Sequence, residues 1–377
     1  MKKYINQMDM KQANAADIFA LIRKSRRITR KEIEAKTGFS WGAVSTIASL
    51  LIEKNYIREL KCEQPKGAGR APSYLEVNTT DHFVLGVDIN ISGFKSVLVN
   101  LQNEIVGNNF YKATYSDKDS LLSEIIKFIK ETMTLADSKN IIGIGVAMQG
   151  LVDAKNGISV SIPHCKDWSN VPLSYIISKE FDLPVFIEHD PDCILYAVST
   201  EQIYKNAILL RVDKGIGMSV LSGGKIFGKP GMFEIGHTIA VPNGMLCSCG
   251  KQGCLEAYAS MSGMATLAGC RFDELVQKVK SGDKKSQEIF YDMAKYLAVA
   301  LLNASHMLCI SRIVLCGDMW QYKDLFYDAF LNSLKEIDSK NSLEFSFIDV
   351  ENAATGAALI AIEHAIKYID FRKEDES

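Results

Sequence analysis

Residues 234–256 read Glu-Ile-Gly-His-Thr-Ile-Ala-Val-Pro-Asn-Gly-Met-Leu-Cys-Ser-Cys-Gly-Lys-Gln-Gly-Cys-Leu-Glu, and this stretch guides the interpretation of the whole chain. It carries one imidazole and three thiols, those of His237, Cys247, Cys249 and Cys254. One nitrogen and three sulfur ligands form the closed tetrahedral shell of a structural zinc site, and interspersed glycines let the backbone turn tightly around it. The alternative is three buried or redox-active cysteines beside an unrelated histidine. The pattern favours Zn²⁺ in loop 237–254, which leaves Glu234 and Glu256 for another role.

The charge of the chain is unevenly distributed. The 377 residues are 47% hydrophobic and 23% charged, as in a soluble globular protein, and the formal net charge is −2. Residues 1–72 hold 15 Lys and Arg against 7 Asp and Glu, a net charge of +8, whereas the rest of the chain carries −10. A basic head on an acidic body predicts that only the head binds a polyanion.

The cysteines and the apolar segments indicate the compartment. An odd number of unevenly spaced cysteines in a long chain is typical of reduced thiols. Five cysteines outside the zinc-like stretch are expected to be core thiols, namely Cys165, Cys193, Cys270, Cys309 and Cys316. The N-terminus lacks the apolar segment of a signal peptide, and no apolar run is long enough to cross a bilayer. We therefore expect a cytoplasmic protein with no membrane partner.

Residues 1–79 carry the signals of a winged helix-turn-helix. Thr29 and Glu32 have the spacing of a capping box, and a turn at Gly38 leads to Ser40, which can cap a further helix. Two helices joined by a short turn with glycine are typical of DNA-binding proteins. The second helix would place its first residues in the major groove, namely Ser40, Trp41, Ala43, Ser45 and Thr46.

Two alternating segments after these helices predict the strands of a wing. Residues 56–60 and 73–77 alternate between apolar and polar side chains. The basic tip between them could enter a minor groove through Lys66, Gly69 and Arg70. The alternative is a three-helix bundle used for protein contacts. The order of turn, charge and wing favours operator double-stranded DNA as the partner.

From about residue 80, apolar strands alternate with amphipathic helices. Residues 83–89 and 207–212 are apolar runs of strand length, and residues 291–309 have the apolar spacing of a long helix. This alternation predicts an α/β body over residues 80–377. Two lobes with a cleft between them fit the layout, although the sequence shows only weak internal repetition.

The order of these motifs resembles the ROK family of repressors, open reading frames and kinases, specifically its DNA-binding repressors that respond to xylose, N-acetylglucosamine or glucose. The resemblance rests on Gly38-Phe39-Ser40 and Gly69-Arg70 in the head, residues 145–153, and Glu234-x-Gly-His237 through Cys254-Leu-Glu256. It implies an α/β, actin-like, two-lobed sugar kinase fold with an N-terminal winged helix-turn-helix domain. It also implies that the zinc is structural and orders part of the sugar pocket.

The kinases of the family need two phosphate loops and a catalytic base. The first loop, Asp-x-Gly-x-Thr in kinases, is Asp-Ile-Asn-Ile-Ser at residues 88–92, so glycine is lost where the backbone must approach a phosphate. The second, Gly-Thr-Gly-x-Gly, is Asp-Lys-Gly-Ile-Gly at residues 213–217. Asp190 keeps the position of the base. We expect no kinase activity and interpret Asp190 as a vestigial base that accepts a hydrogen bond; the alternative is a ROK-type ATP-dependent sugar kinase with retained activity.

Matched one position at a time, the sugar contacts of the family imply an effector-binding set of His164, His189, Asp190, Glu234, His237 and Glu256. At His164 and His189 the family has asparagine, and an imidazole differs from an amide in reach and shape. Two interpretations stay open. The pocket is reshaped for another sugar, a sugar phosphate or an anion, or it no longer binds sugar. We favour a retained ligand because four of the polar contacts persist together.

These features together predict a transcriptional regulator, a repressor of genes for carbohydrate use such as xylose metabolism. A sugar or sugar derivative bound between the lobes would control it through different affinities for the DNA-bound and free states. The sequence does not reveal the sign of this response, so corepression and activation stay open as alternatives. One recognition helix gives few base contacts, so we expect a homodimer or homotetramer on a roughly palindromic operator.

Overall fold

The computed structural model of the chain describes residues 7–61, 73–90, 93–136, 140–162, 165, 167–202, 204–228, 233–340, 342–348 and 352–368. These residues fall into two compact units, one within Met1–Glu188 and Ala354–Ser377 and the other within His189–Ala353. The expected boundary between residues 79 and 80 lies inside the first unit and stays a prediction.

The first unit begins with the helices α1 (Gln7–Ser25), α2 (Arg30–Thr37) and α3 (Trp41–Glu53) and the strands β1 (Ile28–Thr29), β2 (Ile57–Lys61) and β3 (Ser73–Val77). The strands form an antiparallel sheet in the order β1-β3-β2. Thr29 and Glu32 form the predicted capping box of α2, Gly38 ends that helix with φ of 73°, and Ser40 caps α3. The helix-turn-helix and the two wing strands therefore agree with the sequence, whereas β1, only two residues long, was not predicted.

His82 joins this head to the sheet that follows it. Its ring stacks on Tyr56 at 4.1 Å and 16°. Nε2 donates to the Lys54 carbonyl oxygen at 2.8 Å, at the end of α3, and Nδ1 accepts from the Asn140 side-chain amide at 2.9 Å. One side chain thus ties the end of the second helix of the turn to the α/β part of the same unit.

The α/β part of the first unit contains the strands β4 (His82–Asn90), β5 (Gly93–Asn100), β6 (Ile105–Tyr111), β7 (Asn140–Met148), β8 (Leu151–Asp153), β9 (Ile158–Ser161) and β10 (Val185–His189), with the helices α4 (Lys118–Leu135) and α5 (Leu173–Phe181). Five strands form a sheet in the order β10-β7-β4-β5-β6. The alanine-rich α12 (Asn352–Ala365) packs directly on two of them. A Cβ at Gly86 or Gly145 would lie 2.0 Å from a backbone oxygen of this helix, so its close approach depends on both glycines.

The second unit contains the helices α6 (Asp190–Gln202), α7 (Leu255–Ala259), α8 (Met261–Ala268), α9 (Phe272–Lys280), α10 (Lys284–Leu308) and α11 (Tyr327–Ile337), and the strands β11 (Ala207–Val212), β12 (Ile216–Ser222), β13 (Lys225–Ile226), β14 (Arg312–Cys316) and β15 (Glu344–Phe347). The strand order is β13-β12-β11-β14-β15. In both units an antiparallel three-strand meander continues into parallel pairing, β4 with β7 and β11 with β14. The structure thus repeats a topology whose sequence signal is weak.

The cysteines correct one expectation. Cys165, Cys193 and Cys316 are buried as predicted, but Cys309 is exposed and Cys270 is only half-buried. Cys309 ends α10 with φ of 54°, a turn position that faces solvent. Across the described ranges, no helix combines the length and the apolar character needed to span a membrane.

Candidate functional site

The four predicted metal ligands converge within the second unit. Their ligand atoms lie within 4.8 Å of one another, on His237, Cys247, Cys249 and Cys254. Cys249 Sγ is 3.6 Å from Cys254 Sγ, and Cys247 Sγ is 3.7 Å from His237 Nδ1. Around a tetrahedral zinc with ordinary bond lengths, two sulfurs are about 3.8 Å apart and a sulfur and a nitrogen about 3.5 Å. The cluster could therefore hold one metal ion.

The loop around this cluster depends on two glycines. Gly250 and Gly253 have φ of 85° and 81°, and a Cβ at Gly253 would lie 1.8 Å from Val241 O. The loop buries Cys254, and burial followed by the neighbouring thiols raises the pKa of Cys254 to about 12. A thiol in that setting ionises when a nearby cation compensates its charge. The donor set thus fits a bound cation.

His237 also faces a carboxylate. While Nδ1 lies beside Cys247, Nε2 is 3.8 Å from Glu234 Oε2, across the single 3₁₀ turn Ile235–His237. This separation is longer than a hydrogen bond. Glu234, predicted as an effector contact, therefore lies beside His237 without a direct hydrogen bond to its ring.

A second cluster lies where α6 begins. Asp190 is the first residue of α6 and is buried, and its carboxylate forms an ion pair with the guanidinium of Arg211 at the end of β11. Arg211 Nε donates in turn to Asp213 Oδ2 at 2.6 Å. The carboxylate at the base position is thus already engaged by a buried arginine.

His189 and Asp192 complete the cluster. His189 Nε2 is 3.7 Å from Asp190 Oδ1, its Nδ1 is 3.7 Å from Asp192 Oδ2, and Asp192 accepts from the Ser219 hydroxyl. Burial lowers the pKa of His189, but the nearby carboxylates of Asp192 and Asp190 outweigh it, so the pKa is raised. Burial raises the pKa of Asp190, and the opposing charge of Arg211 only partly offsets this.

The turn at residues 213–217, which we predicted to correspond to the second phosphate loop of the kinases, is fixed by hydrogen bonds within the second unit. Asp213 N donates to Gly215 O at 2.8 Å, and Ile216 N donates to Glu256 Oε2 at 3.0 Å. A Cβ at Gly215 would lie 2.9 Å from that same oxygen. The Asp213 carboxylate also accepts from the backbone N–H of Asp318. The glycine kept in this turn therefore makes room for Glu256, and the aspartate that replaces the first glycine has partners of its own.

Five of the predicted effector residues lie in the described part of the second unit, namely His189, Asp190, Glu234, His237 and Glu256. Contacts of 3.7 Å and 3.8 Å group His189 with Asp190 and Glu234 with His237, and the charge of Glu234 contributes to the raised pKa of His189. His164 lies outside the described residues, as do residues 91–92 of the first phosphate loop. Asp88, which opens that loop, is buried in β4.

The predicted DNA-contacting residues are partly described. Ser40, Trp41 and Thr46 are exposed at the start of α3, and Trp41 is 51% exposed. Ala43 and Ser45 are half-buried. The wing residues Lys66, Gly69 and Arg70 lie outside the described residues. An indole left exposed at the first turn of α3 is available to a partner.

Sequence reasoning missed Arg211, Asp192 and the linking role of Asp213. A signal for the first existed, because Arg211 interrupts the apolar run of residues 207–212, and a buried arginine requires a carboxylate partner. The identity of that partner depends on how α6 packs against β11, which the sequence does not reveal.

The chain is similar to known proteins in both sequence and fold. The sequence profile described as "ROK family" matches residues 84–363. The xylose repressor of Caldicellulosiruptor bescii is 24% identical over 376 residues, covering 92% of each chain. A crystal structure of a ROK family transcriptional regulator, homologous to the Mlc protein of Escherichia coli, has a TM-score of 0.79 at 22% identity, covering 95% of this chain and 97% of that one. The ROK hexokinase of Thermus thermophilus has a TM-score of 0.64 at 23% identity and covers 74% of this chain and 97% of its own.

Proposed function

Because the chain belongs to the ROK family, we propose that it is a DNA-binding transcriptional repressor whose second unit binds a sugar or sugar derivative. The observation that carries this proposal is that one chain contains two distinct parts. One is a helix-turn-helix with Trp41 exposed at the start of α3. The other is a sugar-kinase-like body in which Asp190 is paired with Arg211.

Operator DNA is the proposed partner of the head. Exposed Ser40, Trp41 and Thr46 would contact base edges, and the basic wing residues Lys66 and Arg70 would contact the adjacent groove. The net charge of +8 over residues 1–72 supports a polyanionic partner. A homodimer would place two such helices on a palindromic site, and the compartment proposed for this activity is the cytoplasm.

The proposed effector site comprises His189, Asp190, Glu234, His237 and Glu256. Carboxylates and imidazoles are suited to the hydroxyl groups of a sugar, which both donate and accept hydrogen bonds. Xylose is the first candidate because it is the sugar in the name of the Caldicellulosiruptor bescii relative.

Zinc is the proposed occupant of the His237, Cys247, Cys249 and Cys254 cluster. Three thiolates and one imidazole leave no open coordination position, so the metal would have a structural role. When bound, it would fix the loop that carries His237 and the start of α7, and hence the position of Glu256.

Sugar kinase activity is the second candidate, favoured by the similarity to the Thermus thermophilus hexokinase. Two observations weigh against it. Asp190 is engaged by Arg211, and the carboxylate of Asp213 stands where the second phosphate loop has glycine, so it would repel a triphosphate. Incubation with magnesium ATP and a panel of pentoses, hexoses and amino sugars should give no sugar-dependent ADP. Turnover at the rate of a kinase would overturn the repressor assignment.

A ligand screen tests the proposed function directly. The full chain is heated with D-xylose, D-glucose, N-acetyl-D-glucosamine and their phosphates, and the melting temperature is recorded. A sugar present at a hundred times its dissociation constant stabilises the folded state by about 2.7 kcal/mol. One member of the panel should raise the melting temperature of the wild type and leave Asp190→Asn unchanged. If no sugar in the panel raises the melting temperature, the result would favour the alternative in which the body no longer binds a sugar.

A further inference from the structure

Arg211 is a buried cation held between two carboxylates. Its side chain is 9% exposed and that of Asp190 is 6% exposed, and the two form an ion pair. Arg211 Nε also donates to Asp213 Oδ2 at 2.6 Å. A buried carboxylate without a compensating charge is strongly unfavourable, so Asp190 needs its arginine in order to stay ionised.

The contacts continue beyond this pair. The other oxygen of Asp213 accepts from the backbone N–H of Asp318, at the start of the 3₁₀ segment Asp318–Leu325, and Met261 N donates to the Asp213 carbonyl oxygen at 2.9 Å. Asp213 is therefore fixed by the backbone of two other elements. Arg211, anchored on Asp213, presents its NH1 nitrogen to Asp190 from a defined direction.

We propose that Arg211 is a positioning residue of the effector site, which holds the Asp190 carboxylate ionised and oriented so that it accepts a hydrogen bond from a ligand hydroxyl. The inference rests on the proposed function, because it assumes that Asp190 contacts the effector. In a kinase this carboxylate would take the hydroxyl proton during phosphoryl transfer. Here the guanidinium favours the charged form, and a charged acceptor binds a hydroxyl more strongly than a neutral one.

Loss of Arg211 should give sugar binding a distinctive pH dependence. Loss of Arg211 removes the charge that opposes the effect of burial, so the pKa of Asp190 rises further. A protonated Asp190 is a poor acceptor, so the affinity for the sugar falls at neutral pH and recovers as rising pH ionises the carboxyl. The charged and titratable groups around Asp190 are Arg211 and Asp213 after β11, His189 and Asp192 beside it, Glu234 near His189, and Cys316 on β14.

The test is calorimetric titration of the full chain with D-xylose, D-glucose and N-acetyl-D-glucosamine between about pH 6 and pH 9. The sugar that binds the wild type most tightly is then titrated into three variants. Arg211→Met should bind roughly ten- to a hundred-fold more weakly at pH 7, the range expected for a hydrogen bond to a charged group, and should regain affinity as the pH rises. Arg211→Lys keeps the charge and should stay within a few-fold of the wild type.

The double variant Arg211→Met/Asp190→Asn serves as the control for folding and for His189. It removes the buried Asp190 carboxylate together with its partner, and the Asp213 carboxylate that remains is only half-buried and keeps its bond to the Asp318 N–H. The variant should therefore fold, and it should bind the sugar weakly at every pH. Any residual pH dependence in it belongs to the other titratable groups of the cluster, His189 among them. Wild-type affinity in Arg211→Met would overturn the role of Arg211 and leave the proposed function standing, whereas wild-type affinity in the double variant would also overturn the proposed contact of Asp190 with the sugar. A wild type that binds none of the three sugars would overturn both.

Discussion

Replacing Cys254 with serine should remove the metal from the second unit and lower the stability of that unit. Cys254 is fully buried, and its Sγ is 3.6 Å from Cys249 Sγ, close to the separation of about 3.8 Å between two thiolates on one zinc ion. Serine offers a harder oxygen on a shorter side chain. With one of four ligands lost, the ion should no longer stay bound through purification.

The size of the expected effect follows from the cross-link that a bound ion would make. The ligands join His237 to Cys254, and a cross-link that closes a loop of about 15 residues stabilises a fold by about 3 kcal/mol. In a unit of 150 to 250 residues, each kcal/mol shifts the melting temperature by roughly 2–4 °C. The variant should therefore melt about 6–12 °C below the wild type in the transition of the second unit.

The assay pairs metal content, measured by plasma mass spectrometry, with calorimetric melting. Wild-type protein purified without chelators should hold one zinc per chain, and Cys254→Ser should hold essentially none. Cys309→Ser is the matched control, because Cys309 is exposed and outside the cluster. A wild type without metal, or a Cys254→Ser variant that retains a full equivalent, would refute the assignment of a structural zinc.

Three further predictions concern the first unit. Trp41→Ala should weaken binding to an operator selected from random duplexes by about tenfold or more in gel shifts, whereas Tyr291→Ala, an equally exposed aromatic on α10, should not; equal loss in both would contradict a DNA contact. His82→Ala should lower the free energy of unfolding by about 2–4 kcal/mol, because a stacked ring and two hydrogen bonds are lost. Asn140→Ala should lower the free energy of unfolding by only about 1 kcal/mol. Equal losses for the two variants in denaturant titrations would contradict the linking role of His82. Burial raises the pKa of Glu76, but two arginines outweigh it and the pKa lies below its usual range. Its contribution, at most about 1 kcal/mol for partners exposed to solvent, is present at neutral pH and lost as the pH falls below about 4, so Glu76→Gln should differ from the wild type at pH 7 but not at pH 3.

The helix caps and the turn of the basic head could be predicted because their signals are local in the sequence. Thr29, Glu32 and Ser40 satisfy N–H groups that each helix leaves unpaired at its start, and Gly38 supplies the left-handed turn between the helices. Such interactions span three or four residues and can be read from spacing alone. The cluster that could hold a metal was predictable for the same reason, because three of its four residues fall within eight consecutive positions.

Contacts between distant elements were not predictable in this way. Asp190 and Arg211 are separated by 21 positions, and Ile216 and Glu256 by 40. Both pairs depend on how a helix packs against a strand. Composition and periodicity do not show which residue of the helix faces which residue of the strand. The sequence therefore indicated a role for Asp190 in the site, but not its ion pair with Arg211.

The exposed Cys309 has a similar explanation. The residue follows an apolar helical face and was expected in the core, yet α10 ends one residue earlier and the chain turns outward there. Helix ends are the least predictable part of an amphipathic pattern because the periodicity does not show where it stops.

The most direct test of the central claim is a gel shift of full-length protein on its selected operator, with and without the sugar that stabilises it. Release of the operator by a sugar requires that the ligand bind the free state more tightly than the DNA-bound state. A coupling typical of such switches weakens operator binding by roughly 5- to 150-fold, and Asp190→Asn should lose this response while still binding DNA. Operator affinity that stays the same at saturating sugar would contradict the account.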